Sequence, residues 1–253
     1  NWPNLFKNKN IFLRIDPGHG KGHHDYVKTA GEQSKFGILP NELDEIEELR
    51  EKNKFIIKGL HAHAGSGIHN TSHWKEIGLF LSKLAKRFPE VEVINVGGGL
   101  GVKNKPGDFN IDLEKLHSGL LEVKEKFPQY EIWMEPGRYL TSEAGILLTK
   151  VTQKKKKGNT DYLGIDAGMN ILIRPTLYGA YHHILNLTKL EKPLTEVTNI
   201  VGPICETGDR IGTSRLFPKS DEGDILLIEN AGAYGKTMSS RYNLREEALE
   251  LFI

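Results

Sequence analysis

Short clusters of polar residues and glycines follow apolar runs in this chain, and their residue types suit a planar, anionic ligand. In the cluster 63–66, the flat ring of His63 could stack on such a ligand and the hydroxyl of Ser66 could hold phosphate oxygens. In the triple glycine 97–99, backbone N–H groups around Gly98 could form an anion-binding nest. A structural strand-end histidine and a glycine turn without a ligand are the alternatives at these two places.

An acid and a base flank the rigid turn 135–138. A carboxylate such as Glu135 at the end of a strand can keep a ring nitrogen protonated. The guanidinium of Arg138 can hold a carboxylate or a phosphate through two parallel hydrogen bonds. A salt bridge in a surface turn is the alternative, and the residue types alone do not decide between the two.

Three further clusters lie in the second half of the chain. Arg174 and Tyr178 form one, Cys205 and Glu206 belong to another, and Tyr234 lies between Gly232 and Gly235 in the third. A lone cysteine is more often a small apolar residue than a catalyst, but its place between Pro203 and two carboxylates in a glycine-rich loop favours a chemical role here. Because no set of histidine, cysteine and acidic residues has the spacing of metal ligands, the sequence predicts no metal site.

Alternating strands and helices position the first clusters. Four apolar runs in the first 140 residues alternate with amphipathic helical patterns, which predicts a parallel sheet. The clusters follow the strands, where α/β proteins place their chemistry. Beyond residue 143 the apolar runs are short and separated by turns, and only 177–185 has a helical pattern. The sequence therefore predicts two domains, an α/β domain over 1–142 and a mainly β domain over 143–253.

Composition and charge exclude several classes of protein. The 34 Lys and Arg residues nearly balance the 33 Asp and Glu residues, so the net charge of +1 argues against a nucleic-acid partner. The basic run from Lys154 to Lys157 is predicted to be a solvated hairpin loop. No apolar stretch approaches the roughly 18 residues of a membrane-spanning helix. A single cysteine and the lack of a visible signal peptide predict a cytoplasmic protein.

Taken in order, five clusters resemble one family. The segments 63–66, 97–99, 135–138, 205–209 and 232–234 make the chain resemble the fold-type III pyridoxal-phosphate-dependent decarboxylases from about residue 11 to residue 242. The resemblance implies the C-terminal half of a (β/α)8 barrel, a TIM-like α/β fold, followed by a mainly β C-terminal domain. It also implies pyridoxal 5′-phosphate as cofactor and a small amino acid as substrate.

Within this family, the second half of the chain is most similar to the branch that converts meso-2,6-diaminopimelate into L-lysine and carbon dioxide. The residues that carry this similarity are the segment 166–170 leading to Arg174 and Tyr178, then Glu206 and the segment 240–243. The last hundred residues also resemble the decarboxylase half of fusions with an aspartate kinase. The alternatives are a decarboxylase of the ornithine or arginine type and a non-catalytic regulatory homologue.

The resemblance implies a role for each matched residue. The residues implied to bind the cofactor are His63, Ser66, Gly98, Glu135, Gly137, Arg138 and Tyr234. Those implied to bind the substrate are Arg138, Arg174, Tyr178, Glu206 and Tyr234. Cys205 and His63 are the implied catalytic residues, with Cys205 acting as proton donor. In relatives the loop of this cysteine reaches the active site of the partner subunit, so the resemblance also implies a homodimer.

One residue of the family pattern has no counterpart. The lysine that anchors the cofactor lies on an early barrel strand, upstream of every matched segment, and Lys35 matches a different family segment. We therefore expect the chain to be a fragment that lacks the N-terminal half of the barrel. The upstream coding sequence distinguishes an active enzyme from a regulatory homologue, because only the enzyme requires that lysine.

Overall fold

Four parallel strands, each followed by a helix along the chain, form the first half of the computed structural model, which describes residues 3–18, 30–31 and 34–253. The strands are β1 (Asn10–Arg14), β2 (Ile56–His61), β3 (Val93–Gly98) and β4 (Glu131–Glu135). The helices are α1 (Pro3–Phe6), α2 (Leu43–Asn53), α3 (Ser72–Leu84), α4 (Leu113–Lys126) and α5 (Gly137–Thr141). The sheet order is β1-β2-β3-β4, so the predicted parallel alternation is confirmed.

Apolar helix faces and the sheet form the core of this half. Along α3, Trp74, Ile77 and Leu81 recur at helical spacing and are buried. The helix α4 begins after Asp112, whose side chain accepts a hydrogen bond from the backbone N–H of Lys115 and so satisfies one of the unpaired donors of the first turn. This packing fixes the four strands, and with them the residues at their carboxyl ends.

A six-stranded sheet forms the second half, in the order β7-β10-β5-β6-β8-β9. Its strands are β5 (Leu147–Lys157), β6 (Thr160–Ile165), β7 (Ile184–Asn186), β8 (Leu194–Val201), β9 (Arg210–Pro218) and β10 (Ile225–Ile228). The pairs are antiparallel except for β6 with β8. Its core consists of Val151, Leu163, Ile165, Ala167, Leu172, Ile184, Ile200, Ile211, Phe217, Leu226 and Ile228.

Two local predictions for this half are wrong. The lysines from Lys154 to Lys157 lie in β5 rather than in a loop, because they pair with β6 and the turn is confined to residues 158–159. The segment 177–185 is helical only at 177–178, because the helix α6 (Arg174–Tyr178) ends at Gly179, which has a left-handed φ of 61°. The chain then enters β7, and His182 lies between the two elements.

The chain divides into two compact units. The first consists of Asn1–Val102 and Asn110–Gly137, and the second of Lys103–Phe109 and Arg138–Ile253. The short segment Lys103–Phe109 thus belongs to the second unit although its flanking residues belong to the first. Within the described part of the chain, no helix is long and apolar enough to cross a membrane.

Candidate active site

The carboxyl ends of the four parallel strands form a row of polar side chains in the first unit. The strand register pairs Arg14 with His61, His61 with Asn95, and Gly98 with Glu135. Together with Phe12 and Trp133, the side chains of this row line an open hollow of about 300 Å³. The sequence predicted Glu135 and Gly98 as residues of this row but not Arg14 and Asn95. These two lie inside the apolar runs that predict the strands, and nothing in those runs marks them as residues of a site.

The carboxylate of Glu135 on β4 is held by side chains of the adjacent strand β3 and of β2 beyond it. The side-chain amide of Asn95 donates to its Oε1 at 2.8 Å, and Nε2 of His61 lies 3.3 Å from its Oε2. Burial lowers the pKa of His61, although the negative charge of Glu135 opposes this shift. About half of the Glu135 side chain is exposed, so the carboxylate is held in place and still accessible.

The ring of His63 is fixed in a neutral state. The backbone N–H of Gly98 donates to its Nδ1 at 3.0 Å, so this nitrogen carries no proton. Burial lowers the pKa of His63, and the nearby positive charge of Arg14 lowers it further. The guanidinium of Arg14 also donates to the backbone carbonyl of His63 at 3.1 Å. The structure therefore presents a flat, uncharged ring.

Close packing of the strands requires the triple glycine. A Cβ on Gly98 would lie 1.9 Å from the carbonyl oxygen of Glu135, and one on Gly97 would lie 2.3 Å from that of Ala62. The sequence alone suggested an anion nest, whereas the structure gives these glycines a role in strand packing and in holding His63.

Two of the predicted cofactor residues, Ser66 and Gly137, lie on other loops of this unit. The half-buried Ser66 follows β2, and the exposed Gly137 is the first residue of α5.

Two buried guanidinium groups form the centre of the second unit's site. Arg138 and Arg174 are 7% and 2% exposed. One Nη of Arg138 donates to Oδ1 of Asn104 at 2.8 Å, whereas its Nε and other Nη have no hydrogen-bond partner in the described residues. Burial, reinforced by the charge of Arg174, lowers the pKa of Arg138 to about 10. No acid in the described part of the chain forms an ion pair with either group, so the site favours an anionic ligand.

Two tyrosines predicted to bind ligands lie near these arginines. The phenols of Tyr178 and Tyr234 both influence the pKa of Arg174, opposing the lowering by burial. Tyr234 is half exposed and has a φ of 64°, a conformation that costs a bulky residue roughly 1–3 kcal/mol. Gly232 fixes this loop, because a Cβ there would lie 2.1 Å from the carbonyl oxygen of Thr141.

The loop of Cys205 forms a separate, exposed group within the second unit. The side-chain amide of Asn243 donates to the sulfur of Cys205 at 3.2 Å, and the hydroxyl of Tyr242 donates to Glu206. This hydrogen bond to Glu206 raises the pKa of Tyr242. Among the described residues, no hydrogen bond or ion pair joins Cys205 or Glu206 to Arg138 or Arg174.

A buried carboxylate to which the sequence pattern gave no separate role, at the end of the segment 205–209, anchors the cysteine loop. Asp209 is 2% exposed and accepts hydrogen bonds from the backbone N–H groups of Met169 and Ile204, at 2.6 and 2.7 Å. Since its two oxygens join the segments of Met169 and Ile204, which are distant in sequence, Asp209 is a structural residue of the site. Among the side chains that the structure describes, no group of three potential ligands could hold a metal ion.

The buried His182 predicts a pH dependence of stability. Burial lowers its pKa to about 4, below the value of about 6.5 in an unfolded chain. Between these two values the unfolded state binds a proton and the folded state does not, so acid favours unfolding. We expect the free energy of unfolding to fall by up to about 3 kcal/mol between pH 6.5 and pH 4. Urea unfolding followed by tryptophan fluorescence measures this slope. It should be smaller in a His182→Gln variant, where the partly buried His61 and His63 still contribute; an equal slope in both proteins would contradict the prediction.

Solved structures place this fold in a known class. A crystal structure of diaminopimelate decarboxylase matches 96% of the chain with a TM-score of 0.86 and 32% identity, and the chain covers 62% of it. The Helicobacter pylori diaminopimelate decarboxylase complexed with L-lysine matches 95% with a TM-score of 0.84 and 31% identity, with 60% of that structure covered. The predicted fold class, the C-terminal half of a (β/α)8 barrel followed by a mainly β domain, is confirmed.

The family follows from the sequence. Residues 27–232 match the family described as "Pyridoxal-dependent decarboxylase, C-terminal sheet domain". The chain belongs to the pyridoxal-dependent decarboxylases. The diaminopimelate decarboxylase of Aquifex aeolicus is 40% identical over 98% of the chain, and that of Methanothermobacter thermautotrophicus is 37% identical over 96%. The chain spans about 60% of the length of these relatives, 60% and 59% respectively.

Proposed function

We propose that the natural gene product converts meso-2,6-diaminopimelate into L-lysine and carbon dioxide with the help of pyridoxal 5′-phosphate. The observation that carries this proposal is the pair of buried guanidinium groups of Arg138 and Arg174, with which no acid among the described residues forms an ion pair. Diaminopimelate has two carboxylates, whereas ornithine and arginine have one. The relatives named diaminopimelate decarboxylase support the same substrate.

The strand-end residues of the first unit fit the cofactor. A neutral flat ring at His63 and a braced, accessible carboxylate at Glu135 suit a pyridine ring whose nitrogen is protonated. In this proposal Ser66 and Gly137 surround the phosphate, and Gly98 lies beside it while its N–H stays bound to His63. The chemistry that the bound cofactor supplies is an electron sink for the pair left on the substrate carbon when carbon dioxide departs.

The residues of the chain supply orientation and a proton. Glu135 holds a proton on the ring nitrogen, and Asn95 keeps its carboxylate in place. Arg138 and Arg174 bind substrate carboxylates, while Glu206 attracts the distal ammonium group. The thiol of Cys205 donates its proton to the carbon that has lost carbon dioxide, and solvent restores that proton afterwards.

Assembly and location belong to the same proposal. The exposed loop with Cys205 and Glu206 is anchored by Asp209, so it has a fixed shape that a second subunit can receive. We place this loop at the active site of the partner in a cytoplasmic homodimer. Tyr178 and Tyr234 complete the substrate contacts within the second unit.

Release of carbon dioxide tests the proposed function. The natural gene product, supplied with pyridoxal 5′-phosphate, should release carbon dioxide from meso-diaminopimelate and form L-lysine in equal amounts. Ornithine, arginine and L-lysine should be turned over at least about 100-fold less efficiently, since one buried arginine would lose its carboxylate. Turnover of ornithine without turnover of diaminopimelate would overturn the substrate assignment, and no turnover of any of these amino acids would favour the regulatory alternative.

A further inference from the structure

His182, which neither the matched motifs nor the proposed mechanism uses, lies directly behind Arg174. Its side chain is completely buried, in the segment between α6 and β7. Nε2 of His182 lies 3.0 Å from Nη1 of Arg174, and Nδ1 lies 2.8 Å from the backbone carbonyl of Glu229. We infer that His182 is a positioning residue, which holds the guanidinium of Arg174 in the orientation that binds a substrate carboxylate.

The two partners determine the tautomer of the ring. A guanidinium can only donate hydrogen bonds and a carbonyl oxygen can only accept them. His182 therefore accepts from Arg174 at Nε2 and donates from Nδ1–H to the carbonyl of Glu229. This arrangement requires a neutral imidazole with its single proton on Nδ1.

The surrounding charges keep the ring neutral. Arg174 on α6, Arg138 on α5 and Arg215 on β9 all act on His182, and each disfavours a second positive charge. Glu229 faces His182 only through its backbone carbonyl, because its carboxylate lies 3.3 Å from the ring of His183. Burial is the largest cause of the lowered pKa, so His182 remains an acceptor for Arg174 throughout the neutral pH range.

In this arrangement different nitrogens of Arg174 bind His182 and the substrate. Nη1 is tied to His182, which leaves Nε and Nη2, the other edge of the planar group, for a carboxylate. Because a bidentate contact needs the plane to be correctly oriented, the bond to His182 sets the affinity for the acidic end of the substrate. This step of the inference rests on the proposed function, in which Arg174 binds a carboxylate.

Two substitutions separate positioning from a merely structural role. In His182→Gln, the side-chain oxygen reaches the place of Nε2 and can still accept from Arg174. In His182→Asn, the amide reaches the place of Nδ1 and can still donate to the carbonyl of Glu229, but the acceptor for Arg174 is lost. With meso-diaminopimelate and the cofactor-loaded natural gene product, we expect the Asn variant to raise KM about 10-fold or more with a smaller change in kcat. The Gln variant should stay within about 3-fold of the parent KM.

A second measurement does not depend on activity. Crystal structures of the parent and both variants report the orientation of the Arg174 guanidinium, and nitrogen-15 spectra report the Nδ1–H tautomer of His182 in the parent. We expect the parent orientation in the Gln variant and a rotated or disordered group in the Asn variant. An unchanged Arg174 in the Asn variant, or equal KM changes in both variants, would overturn the inference. Failure of the parent to use diaminopimelate would refute the proposed function alone, since the orientation of Arg174 still tests His182.

Discussion

A Glu135→Gln substitution is expected to lower kcat at least about 100-fold while changing KM less than about 3-fold. The amide is nearly isosteric and can still accept the hydrogen bond that Asn95 donates to Oε1 of Glu135. It has no negative charge, however, and therefore cannot hold a proton on the ring nitrogen of the cofactor. Since that proton matters most when the electron pair is delocalised, the loss falls on turnover rather than on binding.

Steady-state decarboxylation by the cofactor-loaded natural gene product measures this effect. Glu131→Gln is a matched control, because Glu131 lies on the same strand and its carboxylate accepts a hydrogen bond from the indole of Trp133, which an amide oxygen can replace. The control should retain the parent kcat. Equal rates for the Glu135 variant and the control would remove Glu135 from its proposed place at the ring nitrogen.

An Arg138→Met substitution is expected to stabilise the folded chain and to abolish tight substrate binding. Methionine fills a similar volume without burying a charge. Replacement of even a buried ion pair by apolar residues of similar volume is often neutral or stabilises a protein by roughly 1–4 kcal/mol, and Arg138 has no acidic partner among the described residues to lose. The amide oxygen of Asn104, which accepts from Arg138, lies on a partly exposed residue and can bond to water instead. The KM for diaminopimelate should rise at least about 100-fold, because one carboxylate loses its charged partner.

Urea unfolding and substrate kinetics of the same preparation test both parts of this prediction. Arg87→Met is the control, because Arg87 forms ion pairs with Asp44 and Glu47 at the surface and carries no uncompensated charge. This variant should gain no stability and should keep the parent KM. A destabilised Arg138 variant with an unchanged KM would show that the guanidinium serves folding instead of the ligand.

Periodicity made much of the fold predictable. The strand β3 and the helix α4 follow from short apolar runs and from apolar residues at helical spacing, which depend only on neighbours in sequence. The clusters at the strand ends were visible for the same reason, since Glu135 and His63 directly follow apolar segments. Sequence patterns therefore indicated the first unit and the place of its site.

The networks behind the site were not predictable, because they join residues that are distant in sequence. His182 lies 47 residues from Glu229, whose carbonyl it contacts, and Asp209 lies 40 residues from Met169. The helical pattern over 177–185 predicted the wrong local structure for His182. It did not allow for Gly179, whose left-handed backbone ends the helix before His182. Directional hydrogen bonds of this kind depend on how the second unit packs. The spacing of neighbouring residues in the sequence does not predict that packing.

The segment Lys103–Phe109 makes the second unit discontinuous in the gene. A clone that starts at Arg138 would omit Asn104, the acceptor for that arginine, and the carbonyl of Lys103 that accepts from Asn230. Attaching the unit to another scaffold therefore requires grafting a seven-residue loop together with the later segment. A single recombination crossover between residues 109 and 138 would separate Asn104 from Arg138 and Lys103 from Asn230. The two segments of the second unit must therefore be inherited together.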